Sequence, residues 1–287
     1  MKDKICLITG ATSGIGKAAA MQLAELGATL VLVGRNSKKT SATVKQVQEQ
    51  TGNQDVHFFI ADLSSQQAIR QLADDFKAHH QRLDVLVNNA GALMLSRQET
   101  VDGIEMTLAL NHLSYFLLTN LLLDVLKSSS PSRIINVASD SHQNALLNFD
   151  DLQIQNGYRG YKAYGRSKLA NMLFTYELAR RLGGTGVTAN GLHPGLVATS
   201  FLATNNGLRG RVFNFFVRRM GRSVENGART ITYLATSSDV EGVTAGYFMD
   251  EGVVDSSQSS YDKDASLRLW QVSEELTGLA TDDGEDT

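Results

Sequence analysis

Short β-branched and apolar runs alternate with longer stretches of helical periodicity along this chain. That rhythm restricts it to a parallel sheet with helices packed on its faces. The apolar runs fall at 5–9, 28–34, 56–61, 83–88, 133–138, 187–193 and 246–249, and the helical patterns at 14–26, 38–50, 65–79, 103–127, 161–182 and 223–236. Several runs are apolar at successive positions, as strands covered on both faces must be. The pattern predicts one doubly wound α/β domain over residues 1–254, with seven parallel strands and helices on both faces. Three stretches break the rhythm. Residues 141–160 form a polar insertion between a strand and the next helix. Residues 196–222 are rich in Gly, Asn, Arg and Phe and are expected to close over a substrate. Phe201, Phe213, Phe215, Phe216 and Met220 either line that lid or pack a small satellite core. Residues 255–287 read as a polar C-terminal extension, expected to fray at its end around Asp282, Asp283, Glu285 and Asp286.

Composition removes several function classes. The 287 residues are 42% hydrophobic and 20% charged, with 27 basic and 30 acidic side chains and a net charge of -3. That balance supplies no electrostatic footprint for nucleic acid. Cys6 is the only cysteine, so an internal disulfide is impossible and a thiolate zinc site is not expected. The histidines show no metal-ligand spacing, and no metal is expected. Met1 leads through Lys2, Asp3 and Lys4 into an apolar run without a secretory pattern, from which a cytoplasmic location is expected. The most apolar stretch, 113–126, is shorter than a bilayer span and holds Asn120 and Asp124, so it reads as a buried helix with no membrane span.

The first strand runs into Thr9-Gly10-Ala11-Thr12-Ser13-Gly14-Ile15-Gly16, which opens a helix. Glycines at Gly10, Gly14 and Gly16 allow a tight turn and bring bare backbone close to a pyrophosphate. The helix N-terminus adds unpaired N–H groups and a partial positive charge. Thr12, Ser13 and Ile15 complete this phosphate-binding turn. A Walker A loop also resembles it, because Lys17 follows Gly16. However, five residues rather than four separate Gly10 from Gly16, and Ala18 stands where a magnesium-binding hydroxyl is needed.

The end of the second strand bears on which dinucleotide is bound. A carboxylate there would hold an adenosine ribose and repel a 2′-phosphate. This chain has Gly34-Arg35-Asn36-Ser37-Lys38 instead. Arg35 can clamp a phosphate through two N–H bonds, beside Asn36 and assisted by Lys38 or Lys39. NADPH is therefore expected in preference to NADH.

Tyr164 and Lys168 stand four residues apart on one face of a helix. A tyrosine of pKa near 10 costs about 4 kcal/mol to ionise at pH 7, and a cation one turn away is expected to reduce that cost. Such a tyrosine can exchange the proton that accompanies hydride transfer. Tyr161 has Gly165, not lysine, at the same spacing. Ser139 follows the strand 133–138 on the sheet edge where ligands bind, and can hold a substrate oxygen beside Tyr164. Ser141 competes for that role. No Gly-x-Ser-x-Gly elbow is present, which argues against an α/β-hydrolase.

Together these pieces resemble the short-chain dehydrogenase/reductase family over roughly residues 3–250. The matching motifs are Thr9-Gly10-x-x-x-Gly14-Ile15-Gly16, Asn88-Asn89-Ala90-Gly91, Ser139, Tyr164-x-x-x-Lys168 and Pro194-Gly195-x-Val197-x-Thr199, in that order. Asn111-His112-Leu113, the run 164–171, Leu192-His193-Pro194-Gly195 and the 25-residue step from Ser139 to Tyr164 resemble the retinol dehydrogenase branch, which includes related carbonyl reductases.

The resemblance implies a Rossmann fold with strand order 3-2-1-4-5-6-7. It makes Tyr164 the general acid or base, and has Lys168 bind the nicotinamide ribose and lower the tyrosine pKa. Ser139 would orient the substrate oxygen. Asn111 would kink its helix and hold a water linking Lys168 to solvent. Asp62 and Leu63 would lie against adenine, Asn89, Ala90 and Gly91 would line the cofactor groove, and Pro194, Gly195, Val197 and Thr199 would meet the nicotinamide. There are two departures. Ala138 stands where the family often has serine, and the N-terminal hydrophobic anchor usual in membrane-bound retinol dehydrogenases is not expected here.

The expected function is NADP-dependent hydride transfer at the carbonyl or alcohol carbon of a small apolar substrate. A non-catalytic NADPH-binding regulator on the same scaffold is the alternative, and a pure scaffold protein a third. His112 and His193 are expected to be structural. Family precedent also implies a homodimer or homotetramer built on the apolar faces of helices 111–127 and 161–182.

Overall fold

The computed structural model describes residues 1–195 and 223–279. Seven parallel strands are joined by helices: β1 (Ile5–Thr9), β2 (Thr29–Gly34), β3 (Val56–Ile60), β4 (Val85–Asn88), β5 (Ser132–Val137), β6 (Val187–His193) and β7 (Tyr247–Met249). An eighth strand, β8 (Gly252–Val253), pairs antiparallel with β7, and the order is β3-β2-β1-β4-β5-β6-β7-β8. The sheet is thus a Rossmann sheet with one strand more than the seven expected. β8 has only two residues, both exposed, so no apolar run marks it.

Alternation along β1 builds both halves of the core. Cys6 and Ile8 face α1 (Gly14–Glu25) and α8 (Val224–Thr236), meeting Ala19, Ala20, Leu23, Ala228 and Ile231. Leu7 faces the opposite layer, where α3 (Gln66–His79) supplies Leu72 and Phe76. The buried face of α1 is almost entirely Gly and Ala, which lets the helix sit close against the strands behind the phosphate-binding turn. The remaining helix after β2 is α2 (Ser37–Thr51). Successive strands are added on one side of β1 up to β3 and on its other side from β4 onward, and this switch point leaves a crevice beyond the carboxyl ends of the strands.

The helix expected over 103–127 is broken. Glu105 caps a short α4 (Met106–Leu108), its carboxylate accepting from the amides of Thr107 and Leu108 at 2.8 Å each. A π-helical turn, Ala109–Leu113, follows, then α5 (Ser114–Leu121) and α6 (Leu123–Ser128). Two 3₁₀ turns, Asp140–His142 at the start of the insertion 141–160 and Phe149–Asp151 within it, precede α7 (Gly160–Arg181).

The division drawn at residue 254 is not a division in the packing. Beyond a 3₁₀ turn, Gln258–Tyr261, lies α9 (Lys263–Thr277), capped by Asp262, whose Oδ1 accepts from the Ala265 amide at 2.9 Å. Trp270 is 5% exposed. Its ring lies 5.0 Å from Phe116 of α5 and 5.8 Å from Phe174 of α7, under the Arg181 guanidinium at 4.1 Å. On the helices whose apolar faces are expected to carry a homodimer or homotetramer, Phe116 of α5 and Phe174 of α7 are thus covered by α9, the last of the described helices. Among the described residues, no helix is long and apolar enough to cross a membrane.

Candidate active site

Gly10 and Gly14 adopt φ of 66° and 54°, in the left-handed region that favours glycine. A Cβ on Gly10 would stand 2.9 Å from the Ala90 Cα, and one on Gly16 would strike the Asn89 side-chain amide and lie 2.7 Å from the Gly10 carbonyl oxygen. The turn is thus pressed against the end of β4. Thr9 Oγ1 accepts from the amides of Asn89 and Ala90 at 2.8 and 3.1 Å, and the Asn89 Nδ2 donates to the Thr9 carbonyl at 2.8 Å. Ser13 precedes α1 without capping it through its side chain, and no acidic residue sits in the first turn. The Thr12 methyl packs where a Gly34 Cβ would come within 2.6 Å of it, and Ile15 packs on the core.

At the end of β2, Arg35 and Asn36 are exposed. Asn36 caps α2 by accepting from the Lys39 amide at 3.0 Å, and no carboxylate occupies that helix's first turn. Arg35, Lys38 and Lys39 thus gather positive charge at a helix N-terminus. Past β3, Asp62 is exposed and accepts from the Ser64 amide and hydroxyl at 3.0 and 2.7 Å, whereas Leu63 is buried in the core.

The proton-transfer residues converge at the carboxyl ends of β4 and β5. Tyr164 and Lys168 share α7, and Tyr164 is hydrogen-bonded to Ser139, which follows β5. The Lys168 Nζ is 5.6 Å from the Tyr164 ring centre and donates to the Val137 carbonyl at 2.8 Å. Asn111, central in the π-helical turn, accepts from the Ala92 amide at 2.8 Å and donates to the Ala92 carbonyl at 2.9 Å and to Ser167 Oγ at 3.0 Å. Ser167 in turn donates to the Tyr164 carbonyl at 2.7 Å. A Cβ on Gly91 would come within 3.1 Å of Asn111 Oδ1 and 3.7 Å of Lys168 Nζ, so bare backbone borders this cluster. Ser141, the competitor of Ser139, is exposed and bonds to Ser139 through its amide and hydroxyl, both at 3.3 Å.

Burial sets the electrostatics here. It pushes the Tyr164 hydroxyl up to about 12, with the Ser139 bond opposing, and pulls Lys168 down to about 7. The sequence suggests a phenol made acidic by its neighbouring ammonium. In the structure burial is the largest influence on each group, raising the tyrosine and lowering the lysine.

Pro194 and Gly195 follow β6 at the same edge. Val197, Thr199 and the segment 196–222 lie outside the described residues. His193 accepts from the Asp140 amide at 3.2 Å. His112 is away from the cluster: it is buried, its Nε2 lies 2.9 Å from Ser273 Oγ of α9, and burial lowers its pKa to about 4. Among the described residues no group of acidic, His or Cys side chains is arranged to hold a metal.

Sequence reasoning missed three contributors. Thr9 was visible only as part of a motif, Ser167 reads as a plain helix residue, and His142 sits in the polar insertion with a partner 115 residues away.

The short chain dehydrogenase family profile matches residues 4–207. Human "Retinol dehydrogenase 11" is 41% identical over 284 residues, covering 98% of this chain and 88% of the relative. An uncharacterized Mycobacterium paratuberculosis protein of solved structure superposes with a TM-score of 0.78 at 30% identity, covering 96% of this chain and 94% of that one. The Pseudomonas aeruginosa RhlG/NADP active-site complex gives 0.69 at 28% identity, over 86% and 94% of the two chains. The chain belongs to the short chain dehydrogenase family, an oxidoreductase family, in its retinol dehydrogenase branch.

Proposed function

We propose that this protein is an NADPH-dependent oxidoreductase that reduces the carbonyl group of a small apolar molecule, or oxidises the corresponding alcohol, with Tyr164 as the general acid or base. The observation that carries this reading is the Ser139–Tyr164–Lys168 cluster, seated at the sheet's switch point beside a glycine turn too tight for side chains. Bound NADPH supplies the hydride. Gly10, Gly14 and Gly16 hold its pyrophosphate against the N-terminus of α1, and Arg35 with Lys38 or Lys39 holds the 2′-phosphate. Asn89, Ala90 and Gly91 border the groove, with Asp62 and Leu63 on the adenine side and Pro194, Gly195, Val197 and Thr199 on the nicotinamide side. The NADP complex among the solved relatives supports this cofactor.

Ser139 orients the substrate oxygen. Tyr164 donates its proton to that oxygen as hydride reaches the carbon in reduction, and takes the proton back in oxidation. Lys168 lies close enough to stabilise the phenolate left behind, and Asn111 holds the backbone at Ala92 and the helix at Ser167 in register with it. An apolar substrate is supported by the name of the retinol dehydrogenase relative. It is also supported by Leu95 and Tyr161, both exposed, which stand next to the place where Gly160 packs on the backbone of Met94 and Leu95.

The test is to screen aldehydes, ketones and retinoids for NADPH oxidation and compare Tyr164→Phe. That variant is expected to bind NADPH normally, with turnover reduced by about 10²–10⁴-fold. Full activity in it would overturn the mechanism.

A further inference from the structure

His142 is buried, and both of its ring nitrogens are engaged. Nδ1 is 2.6 Å from the Ser139 carbonyl oxygen, and Nε2 is 3.0 Å from the Ser257 amide nitrogen. A carbonyl can only accept and a backbone amide can only donate, so the ring is neutral with its proton on Nδ1. Burial favours this state by lowering the pKa, against the opposing influence of the Ser139 carbonyl and Asp140. The ring packs on Tyr247 with centres 4.9 Å apart and planes at 73°.

The two backbones it joins are each well anchored on the far side. Ser256 Oγ bonds to Tyr176 of α7 at 2.6 Å, Ser260 Oγ donates to the Ser257 carbonyl at 2.6 Å, and Ser259 Oγ donates to the Ala145 carbonyl at 3.2 Å. Across the 139–145 turn, α7 presses so closely that a Cβ on Gly165 would stand 2.8 Å from the Ser141 carbonyl oxygen. The turn carrying Ser139 is thus held between α7 and the C-terminal segment, joined to that segment at its far end by the Ser259–Ala145 bond and next to Ser139 by the His142 imidazole.

We propose that His142 is a positioning residue that clamps the backbone of Ser139 to the segment 256–260, so that the C-terminal part of the chain sets the placement of the substrate-orienting hydroxyl. This rests on the assignment of Ser139 as the residue that holds the substrate oxygen. The imidazole touches neither substrate nor cofactor and acts only through the Ser139 turn.

His142→Asn separates the two links. The asparagine amide reaches the place of Nδ1 and keeps the bond to Ser139, but it offers nothing to the Ser257 amide. His142→Gln reaches towards Ser257 and loses Ser139. In His142→Asn, amide exchange at Ser257 is expected to quicken by about tenfold or more, as for any opened hydrogen bond. In both variants kcat is expected to fall on the order of tenfold, with NADPH affinity within about twofold of the starting protein, the pattern of a lost transition-state interaction. Unchanged exchange at Ser257 in His142→Asn overturns the clamp, and faster exchange with unchanged kcat overturns its role in positioning. A starting protein that reduces no carbonyl compound counts against the proposed reaction instead, and the exchange measurement still decides the clamp.

Discussion

Lys168 Nζ lies 5.6 Å from the centre of the Tyr164 ring while donating a hydrogen bond to the Val137 carbonyl at 2.8 Å, and it does so at 3% exposure. Burial holds its pKa near 7, below the 10.5 of an unfolded lysine. Between those values the unfolded chain binds a proton that the folded chain does not, so this group makes stability rise with pH across that window and contributes a constant penalty below it. Lys168→Met removes the penalty. In the cofactor-free protein its melting temperature relative to the parent is expected to be highest near pH 6.5 and to decline towards pH 9.5, while turnover is lost. Parallel melting curves across that range would show that the lysine is not desolvated.

Arg35 is exposed beside the capped N-terminus of α2, with no carboxylate in that helix's first turn. Arg35→Asp replaces an attraction for the 2′-phosphate by a repulsion. It is expected to weaken NADPH by about 2–4 kcal/mol, the scale of a charge-assisted pair lost and reversed, and NADH by much less. Cofactor fluorescence titrations decide it, and equal losses for both dinucleotides remove Arg35 from the phosphate site.

What could be read from the sequence depended on how each element buries itself. β1 and the turn after it were legible because apolar alternation ends abruptly in glycines, and Tyr164 and Lys168 because helical spacing is rigid. α9 was hidden because much of its buried face is Ser and Thr. Ser266, Ser273 and Thr277 turn their hydroxyls onto the carbonyls of Asp262, Leu269 and Ser273, so they are buried without registering as apolar. The break after Leu108 could not be placed from periodicity, since a stretch apolar on every side carries no phase; only the family resemblance pointed to a kink, at Asn111. The bond from His142 to Ser257 has no sequence signal, because nothing local links residues that far apart.

Trp270 closes the aromatic face of α5 and α7, stacking near Phe174 at 30° and meeting Phe116 edge-on. Trp270→Ala is expected to cost about 3–5 kcal/mol, lowering the melting temperature on the order of 10 °C. An oligomer built on that face would have to displace α9, so the parent is expected to form no cross-links through α5 and α7, and the variant to associate through them. A parent dimer cross-linked through α5 and α7 would show that α9 does not cover them in solution.

Gly16 is the position where the cofactor turn tolerates least. A methyl group there would meet the Asn89 amide and the Gly10 carbonyl, and the latter is backbone that cannot swing aside. Gly252, by contrast, has only an ordinary contact at 3.6 Å with the Met249 carbonyl. Gly16→Ala is therefore expected to cost about 1–3 kcal/mol of stability as overpacking. It should also weaken NADPH by at least about tenfold, because the turn must shift away from the pyrophosphate. Gly252→Ala is expected to change neither. Isothermal titration of both variants gives the answer: undiminished NADPH binding by Gly16→Ala would mean that the dinucleotide does not lie on this turn.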